Sequence, residues 1–201
     1  MGDGIAIFPA APTSIRSQDV EYRYRQDNDL YYLTGFPEPQ SLCLLSPNHK
    51  NEKYILFVRP RNKDQETWTG KRWGVEGATE HFGADAAYPM DQLDRVLADH
   101  VPTAEKIYYG LGREERLNSR ILDIVKQAKA QRPRSGQGPV SLIDPADILH
   151  EMRMYKSSPE VTLMKQAIEA SASAHQAALE QTRPGMREYE IEAILEYHFR
   201  R

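Results

Sequence analysis

Short apolar runs of strand length alternate in this chain with segments whose apolar residues recur at helical spacing. Residues 4–8 form the first run, which Pro9 ends, and residues 54–58 form the strongest, rich in β-branched and aromatic side chains. Similar runs at 31–33 and 41–45 predict two more strands. Polar turn residues separate the runs at 41–45 and 54–58, which predicts a hairpin. The fold must therefore accommodate both strands and helices.

Amphipathic segments follow these strands. A helix is predicted after Pro89, where Asp91 and Asp94 have nearly the spacing of a capping box. A second helix is predicted over residues 117–128, whose apolar positions share one face. Residues 131–139 contain several prolines and glycines, so composition alone predicts a linker there.

The last fifty residues predict two more helices. Ser158 has the residue type of an N-cap and Pro159 that of a first helical position, and apolar side chains then recur for about five turns. Residues 183–185 end this helix and the next begins near Met186. The apolar faces of both helices need a further layer to cover them, which indicates the start of an interrupted domain.

Charge and composition exclude several classes of protein. The 201 residues include 26 Lys and Arg against 29 Asp and Glu, a net charge of -3, so no basic excess favours a nucleic-acid partner. No apolar run approaches the roughly 18 residues of a membrane span, and no secretory leader is recognisable. We therefore expect a cytoplasmic protein with no membrane partner. The single Cys43, in the middle of a predicted strand, excludes an internal disulfide and favours a buried thiol.

No complete catalytic constellation is found among the motifs. His150 and Glu151 begin a near match to the zinc motif H-E-x-x-H, but Met154 stands where the second histidine is required. We predict that this segment is a loop or strand end leading into the next helix. No pair among the six histidines has the spacing of metal ligands. We therefore assign no catalytic and no metal-binding residue to this chain.

Both tryptophans lie within one short, charged stretch that contains glycine. Trp68 and Trp73 occur in residues 66–74, which we predict to be a loop. Tryptophan offers a large contact area and is enriched at recognition sites, but such rings also cap hydrophobic cores from long loops. For Trp68 a recognition role and a core-capping role are equally supported, whereas for Trp73 the core-capping role is favoured.

Six segments form a characteristic series along the chain. They are R-Q-D-N-D-L-Y-Y-L-T-G-F-P-E-P (25–39), residues 66–74, Asp144-Pro145, H-E-M-R (150–153), K-S-S-P-E (156–160) and R-P-G-M (183–186) with Glu188 and Glu190. Together, and in this order, they resemble the proline-specific aminopeptidases (aminopeptidase P) of the creatinase/prolidase family, and the resemblance extends over nearly the whole chain.

The resemblance implies a fold and two domains. Residues 1–152 would form an α/β domain, a mixed β-sheet flanked by helices, like the N-terminal domain of aminopeptidase P. Residues 153–201 would form the first two helices of an incomplete pita-bread metallopeptidase domain. The stretch 131–139 would then be an internal loop rather than a linker.

The resemblance also implies an activity. Family members release the N-terminal residue that precedes proline in peptides, using two divalent metal ions, usually manganese, that activate a bridging hydroxide. Their ligands are expected beyond the position of Arg201, so this chain alone is expected to bind none of these metals and to be inactive. Trp68 becomes the candidate substrate-binding residue, and a homo-oligomer is expected.

Two alternatives remain open. Proteins with this pair of domains but without metals serve as non-catalytic peptide- or protein-binding modules. A prolidase or creatinase relative is the other alternative, although the segments at 31–39 and 183–186 look more like aminopeptidase P. The sequence of the gene beyond Arg201 distinguishes an enzyme from a binding module.

Overall fold

The computed structural model describes residue 2 and residues 4–201, which divide into two compact units. The first ends at Leu149 and the second comprises His150–Arg201. Strands occur only in the first unit among the described residues: β1 Gly4–Pro9, β2 Ile15–Ser17, β3 Val20–Glu21, β4 Leu42–Leu45, β5 Tyr54–Val58, β6 Ala86–Pro89, β7 Lys106–Tyr108 and β8 Ser141–Ile143. The helices are α1 Asn28–Thr34, α2 Lys63–Thr69, α3 Gly74–Phe82, α4 Leu93–His100, α5 Glu115–Ser135, α6 Ala146–Met154, α7 Ser158–Gln181 and α8 Glu188–Arg200.

Six strands form one mixed sheet in the order β6-β5-β4-β1-β7-β8. Strand β4 is antiparallel to both of its neighbours, while the pairs β5–β6, β1–β7 and β7–β8 are parallel. The predicted α/β class with a mixed sheet flanked by helices is confirmed. Strands β2 and β3 form a separate, exposed ribbon.

The continuous apolar run of β1 is explained by burial on both faces of the sheet. Successive side chains of a strand point to opposite faces. Accordingly Ile5 and Ile7 belong to one buried cluster, with residues of α4 and α5, and Ala6 and Phe8 belong to another, with Leu30 of α1. A strand buried on both faces has no position for a polar side chain, so its sequence does not alternate.

Residues 31–33 were expected to form a strand, and this expectation is wrong. They lie in α1, because the Asp27 carboxylate accepts hydrogen bonds from the backbone N–H groups of Asp29 and Leu30 at 3.0 and 3.1 Å. Gly35 then ends the helix in the left-handed conformation, with φ of 66°. A capped turn at each end therefore outweighs the β propensity of the two tyrosines.

Two further boundaries differ from the expectation. Helix α4 begins at Leu93 after a single 3-10 turn, and no side chain caps it, so the capping role of Asp91 is wrong. Helix α5 continues to Ser135, so most of the stretch 131–139 is neither linker nor loop. Pro133 lies in the last turn of α5 and has no backbone N–H to donate to the helix. Gly136, in the left-handed conformation, ends α5 three residues later.

The segment that nearly matches the zinc motif is helical. His150 and Met154 lie one turn apart in α6, so the expectation of a loop or strand end is wrong. A methionine still occupies the second ligand position, and the helix presents one imidazole rather than two.

The second unit is dominated by α7 and α8. The turn between them contains Gly185 with φ of 91°, a conformation that glycine adopts without strain. Ala174 and Ala178 of α7 are buried, whereas many larger apolar side chains of both helices are exposed. The exposed ones are Val161, Leu163, Met164, Ile168, Leu179, Tyr189, Tyr197 and Phe199. None of the described helices is both long enough and apolar enough to cross a bilayer.

Candidate functional site

The two tryptophans have different environments. Residues 66–74 are not one loop, as was expected: they comprise the end of α2, a short connection and the first residue of α3. Trp68, on α2, is 88% exposed, and no hydrogen bond or ring contact holds its indole. It therefore does not cap the core, and its ring is free to contact another molecule.

Trp73 is held by contacts on several sides. Its ring meets Phe82 edge-to-face at 5.2 Å between centroids and lies 4.9 Å from the His81 ring. A Cβ atom added to Gly77 would approach the Trp73 ring to 3.1 Å, so the absence of a side chain there lets the indole pack on α3. Trp73 is 40% exposed, so its ring covers Phe82 at the edge of the core rather than lying within it, in agreement with the interpretation of a capping ring.

A short helix presents Trp68. The Asn62 side chain accepts hydrogen bonds from the backbone N–H groups of Asp64 and Gln65, both at 3.1 Å, and begins α2. Gly70, with φ of 83°, ends it. The indole is thus presented on a capped helical turn rather than on a flexible loop.

Two cavities with a small excess of cationic side chains lie near this helix. One of about 590 Å³ is lined by Arg59, Arg61 and Arg72 together with the acidic Asp91 and Glu114. A second of about 410 Å³ includes Lys71, Trp73, Glu76 and Glu80 and shares Arg61 and Arg72 with the first. The shared guanidiniums are weakly paired, since Arg61 lies 3.7 Å from the Glu66 carboxylate and Arg72 reaches the Pro60 carbonyl at 3.4 Å. Such a surface suits the carbonyl and carboxylate oxygens of a peptide.

The Gln26 side chain joins several segments of the first unit by hydrogen bonds. Its amide nitrogen donates to the backbone carbonyls of Phe36 and Glu38 at 3.2 and 2.8 Å. Its amide oxygen accepts from the backbone N–H of Ala11 at 3.1 Å and from the hydroxyl of Tyr24 at 2.7 Å. Burial and the nearby Asp27 carboxylate raise the pKa of Tyr24 to about 12, so this hydroxyl remains a donor at neutral pH.

The segment 36–39 is in turn fixed beside Trp73. The buried Glu38 carboxylate accepts a hydrogen bond from the backbone N–H of Trp73 at 2.8 Å and lies 3.5 Å from the Arg59 guanidinium. Glu38 therefore holds Arg59, which lines the first cavity, and Trp73, which lines the second.

Three chemically active side chains meet elsewhere in the first unit. His49 and Glu52 lie in the turn of the β4–β5 hairpin, and His100 is the last residue of α4. Within residues 2 and 4–201 this is the one group of at least three His, Cys, Asp or Glu side chains whose ligand atoms converge, all within 4.8 Å of one another. Sequence spacing did not reveal the group, because a strand hairpin and a distant helix bring its members together.

Cys43 is not a candidate nucleophile. It lies in β4 with no exposed surface, and burial raises the pKa of its thiol far above the ordinary range. The prediction of a buried small hydrophobic residue is confirmed.

Comparison with known proteins identifies two domain families in the chain. Residues 1–108 match the model of the aminopeptidase P N-terminal domain, and residues 162–201 match metallopeptidase family M24. The chain is 34% identical to an Xaa-Pro aminopeptidase of Escherichia coli, over 100% of this chain and 45% of that protein. An Xaa-Pro aminopeptidase of Haemophilus influenzae is also 34% identical, over 92% of this chain and 41% of the relative. The chain therefore spans about half the length of these curated relatives.

Solved structures give the same assignment. The aminopeptidase PepP of Pseudomonas aeruginosa superposes with a TM-score of 0.92 at 42% identity, covering 98% of this chain and 45% of that one. Aminopeptidase P from Escherichia coli superposes with a TM-score of 0.89 at 32% identity, with the same coverage.

Family M24 consists of metallopeptidases, and the family implies divalent metal ions. The matched residues 162–201 do not fit such a site, because the described side chains there form no cluster of three potential ligands. The first 108 residues and the last 40 match successive domains in the order found in the relatives, and the chain belongs to the aminopeptidase P family.

Proposed function

We propose that this chain is the N-terminal part of a metal-dependent Xaa-Pro aminopeptidase, which releases the N-terminal residue preceding proline from peptides. The observation that carries the proposal is the match to both domain families in a single chain, at 34% identity to an Xaa-Pro aminopeptidase. Residues 1–152 would be the N-terminal domain and residues 153–201 the first helices of the metallopeptidase domain. Two divalent ions, manganese by family resemblance, would be bound by the remainder of that domain, and the 201-residue chain alone would be inactive.

The exposed apolar faces of the second unit support an incomplete metallopeptidase domain. Leu163, Ile168 and Leu179 are 64%, 62% and 74% exposed on α7. Burial of apolar area contributes about 25 cal/mol per Å², so helices of this kind are stable when another layer covers them. The remainder of the domain would supply that layer.

We assign Trp68 to substrate binding. Its exposed ring and the adjoining cationic walls offer an apolar contact together with partners for peptide oxygens. The contact would form at the mouth of the active site, from the same subunit or from a neighbouring one in a homo-oligomer. A cytoplasmic location and the absence of a nucleic-acid partner remain expectations based on composition.

The first experiment is to sequence the source gene beyond the codon for Arg201 and assay the complete protein with manganese on peptides that carry proline at the second position. We expect release of the first residue, loss of activity with a chelator, and no activity from the 201-residue chain. An open frame that lacks the family's two aspartates, one histidine and two glutamates would overturn the enzyme assignment.

The Trp68 assignment needs its own comparison within the complete enzyme. We expect Trp68→Ala to lower kcat/KM for longer peptides more than for dipeptides, while Tyr22→Ala, another exposed aromatic position, leaves the ratio unchanged. Equal kinetics of the Trp68 variant and the wild type on both lengths would overturn the assignment.

A non-catalytic peptide-binding module is the second candidate. It is supported by the exposed Trp68 ring beside Arg61 and Arg72, a surface that can contact a peptide without any metal. A stop codon directly after Arg201 would support it. Proline-containing peptides should then bind to the chain in a manner that depends on Trp68.

A further inference from the structure

We propose that His49, Glu52 and His100 form a binding site for one divalent transition-metal ion of the zinc class, within the first unit. Two imidazoles and one carboxylate are a ligand set that suits zinc, with water in the fourth position. The inference is independent of peptidase activity, since it concerns a different set of residues.

The distances approach those of a tetrahedral site. Nε2 of His100 lies 3.7 Å from Oε2 of Glu52, too far for a hydrogen bond. Two ligand atoms that each lie about 2.0–2.1 Å from a tetrahedral zinc ion are roughly 3.3 Å apart. These two atoms thus need to move only slightly to bind one ion. His49, whose ring centroid lies 4.3 Å from that of His100, is in a surface turn and can make the larger shift.

His100 is a buried histidine with one unpaired ring nitrogen. Its side chain is 2% exposed, and its Nδ1 makes no hydrogen bond. Its other ring nitrogen, Nε2, faces the Glu52 carboxylate at 3.7 Å and is the atom placed to bind the ion.

A neighbouring hydroxyl orients the carboxylate ligand. The hydroxyl of Tyr88, on β6, donates to Oε1 of Glu52 at 2.7 Å, which leaves Oε2 on the side of His100. Hydrogen bonds of this kind fix ligating carboxylates in metal sites. The Arg95 guanidinium lies over the Tyr88 ring at 5.5 Å and limits its movement.

Binding has a defined local consequence at His49. Its Nδ1 accepts a hydrogen bond from the backbone N–H of Glu52 at 2.9 Å, so the metal-free neutral ring has its proton on Nε2. Coordination through Nε2 moves that proton to Nδ1 and displaces the Glu52 N–H. The metal ion would thus exchange one hydrogen bond in the turn for a link between the hairpin and α4.

Zinc titration of the 201-residue chain, without a histidine tag, tests the proposal. By calorimetry at pH 7.5 we expect one equivalent to bind with a dissociation constant below about 10 µM. Cobalt in place of zinc should give the visible absorption of a tetrahedral complex. Binding weaker than about 100 µM, or without defined stoichiometry, would overturn the site.

Substitutions distinguish this cluster from adventitious zinc at other histidines. Glu52→Gln retains the acceptor for Tyr88 and His49→Asn avoids the buried position, so both variants should fold; circular dichroism checks this. Each should weaken zinc binding by about tenfold or more, whereas His150→Gln, at an exposed histidine of α6, should leave it unchanged. Equal affinity in all three variants would overturn the assignment.

Nitrogen-15 NMR of the histidine rings supplies the readout specific to the ligand set. Zinc should convert His49 from the Nε2–H to the Nδ1–H form and shift the Glu52 amide resonance. Tight binding with the resonances of both His49 ring nitrogens unshifted would exclude it as a ligand and overturn the proposed site.

Discussion

The buried carboxylate of Glu38 accepts a hydrogen bond from the backbone N–H of Trp73, at 2.8 Å. Glu38 belongs to the segment between α1 and β4, and Trp73 precedes α3. The Arg59 guanidinium, directly after β5, lies 3.5 Å from the second carboxylate oxygen. One acidic side chain therefore joins three connections that meet beside the cationic cavities.

Removing this carboxylate should destabilise the first unit. Glu38→Ala leaves the Trp73 N–H and the half-buried Arg59 without their partner, and we expect a loss of about 2–3 kcal/mol in the free energy of unfolding. Glu38→Gln retains an acceptor and should lose about 1 kcal/mol. Urea unfolding measures both. Glu80→Ala, at an exposed glutamate on α3, is the control and should change little. Equal stability of Glu38→Ala and this control would contradict the structural role.

Substitution of the two tryptophans should change the free energy of unfolding by different amounts. Trp68→Ala should change the unfolding free energy by less than about 0.5 kcal/mol, because the side chain is 88% exposed. Trp73→Ala removes the edge-to-face contact with Phe82 and should lose about 2 kcal/mol. Thermal or urea unfolding of both variants tests this. The reverse order of stabilities would show that the Trp68 ring, rather than that of Trp73, supports the core.

The parts of the fold predictable from sequence are those fixed by local patterns. Residues 54–58 are a short apolar run rich in β-branched and aromatic side chains and followed closely by Pro60, a pattern that favours a buried strand, and they form β5. Tyr31 and Tyr32 favour a strand by propensity, yet the Asp27 cap and Gly35 make them helical. The site was harder to predict, since convergence of His49 with His100 depends on how a hairpin packs against a distant helix, which no spacing rule contains.

Cys43 should react with thiol reagents only when the first unit unfolds. It has no exposed surface in β4, and burial raises the pKa of its thiol. It is the single cysteine of the chain, so reaction with Ellman's reagent at pH 8 reports this site alone. We expect labelling in urea to follow the unfolding transition measured by circular dichroism. Complete labelling within minutes in native buffer would contradict burial of the thiol.

The start of α7 should be sensitive to acid. The Glu160 carboxylate accepts hydrogen bonds from the hydroxyl and the backbone N–H of Ser157 at 2.6 and 2.7 Å, and these bonds lower the pKa of Glu160. A carboxyl group with a lowered folded pKa contributes stability above its ordinary pKa, and this contribution is lost as the pH falls through the folded value. The first turn of α7 should therefore fray in acid.

Ser157→Ala removes the hydroxyl, which is the first cause of this shift, and keeps the backbone N–H. The pKa of Glu160 should then rise toward its ordinary value, and fraying should begin at a higher pH than in the wild type. Carboxyl carbon-13 NMR titration measures the pKa, and hydrogen exchange of the Val161 and Leu163 amides measures the fraying. Hydrogen exchange of the Glu169 amide, in the middle of α7, provides the internal control because it should be the same in both proteins. An unchanged Glu160 titration in Ser157→Ala would show that the backbone N–H alone holds the carboxylate, and that the hydroxyl adds nothing to the start of the helix.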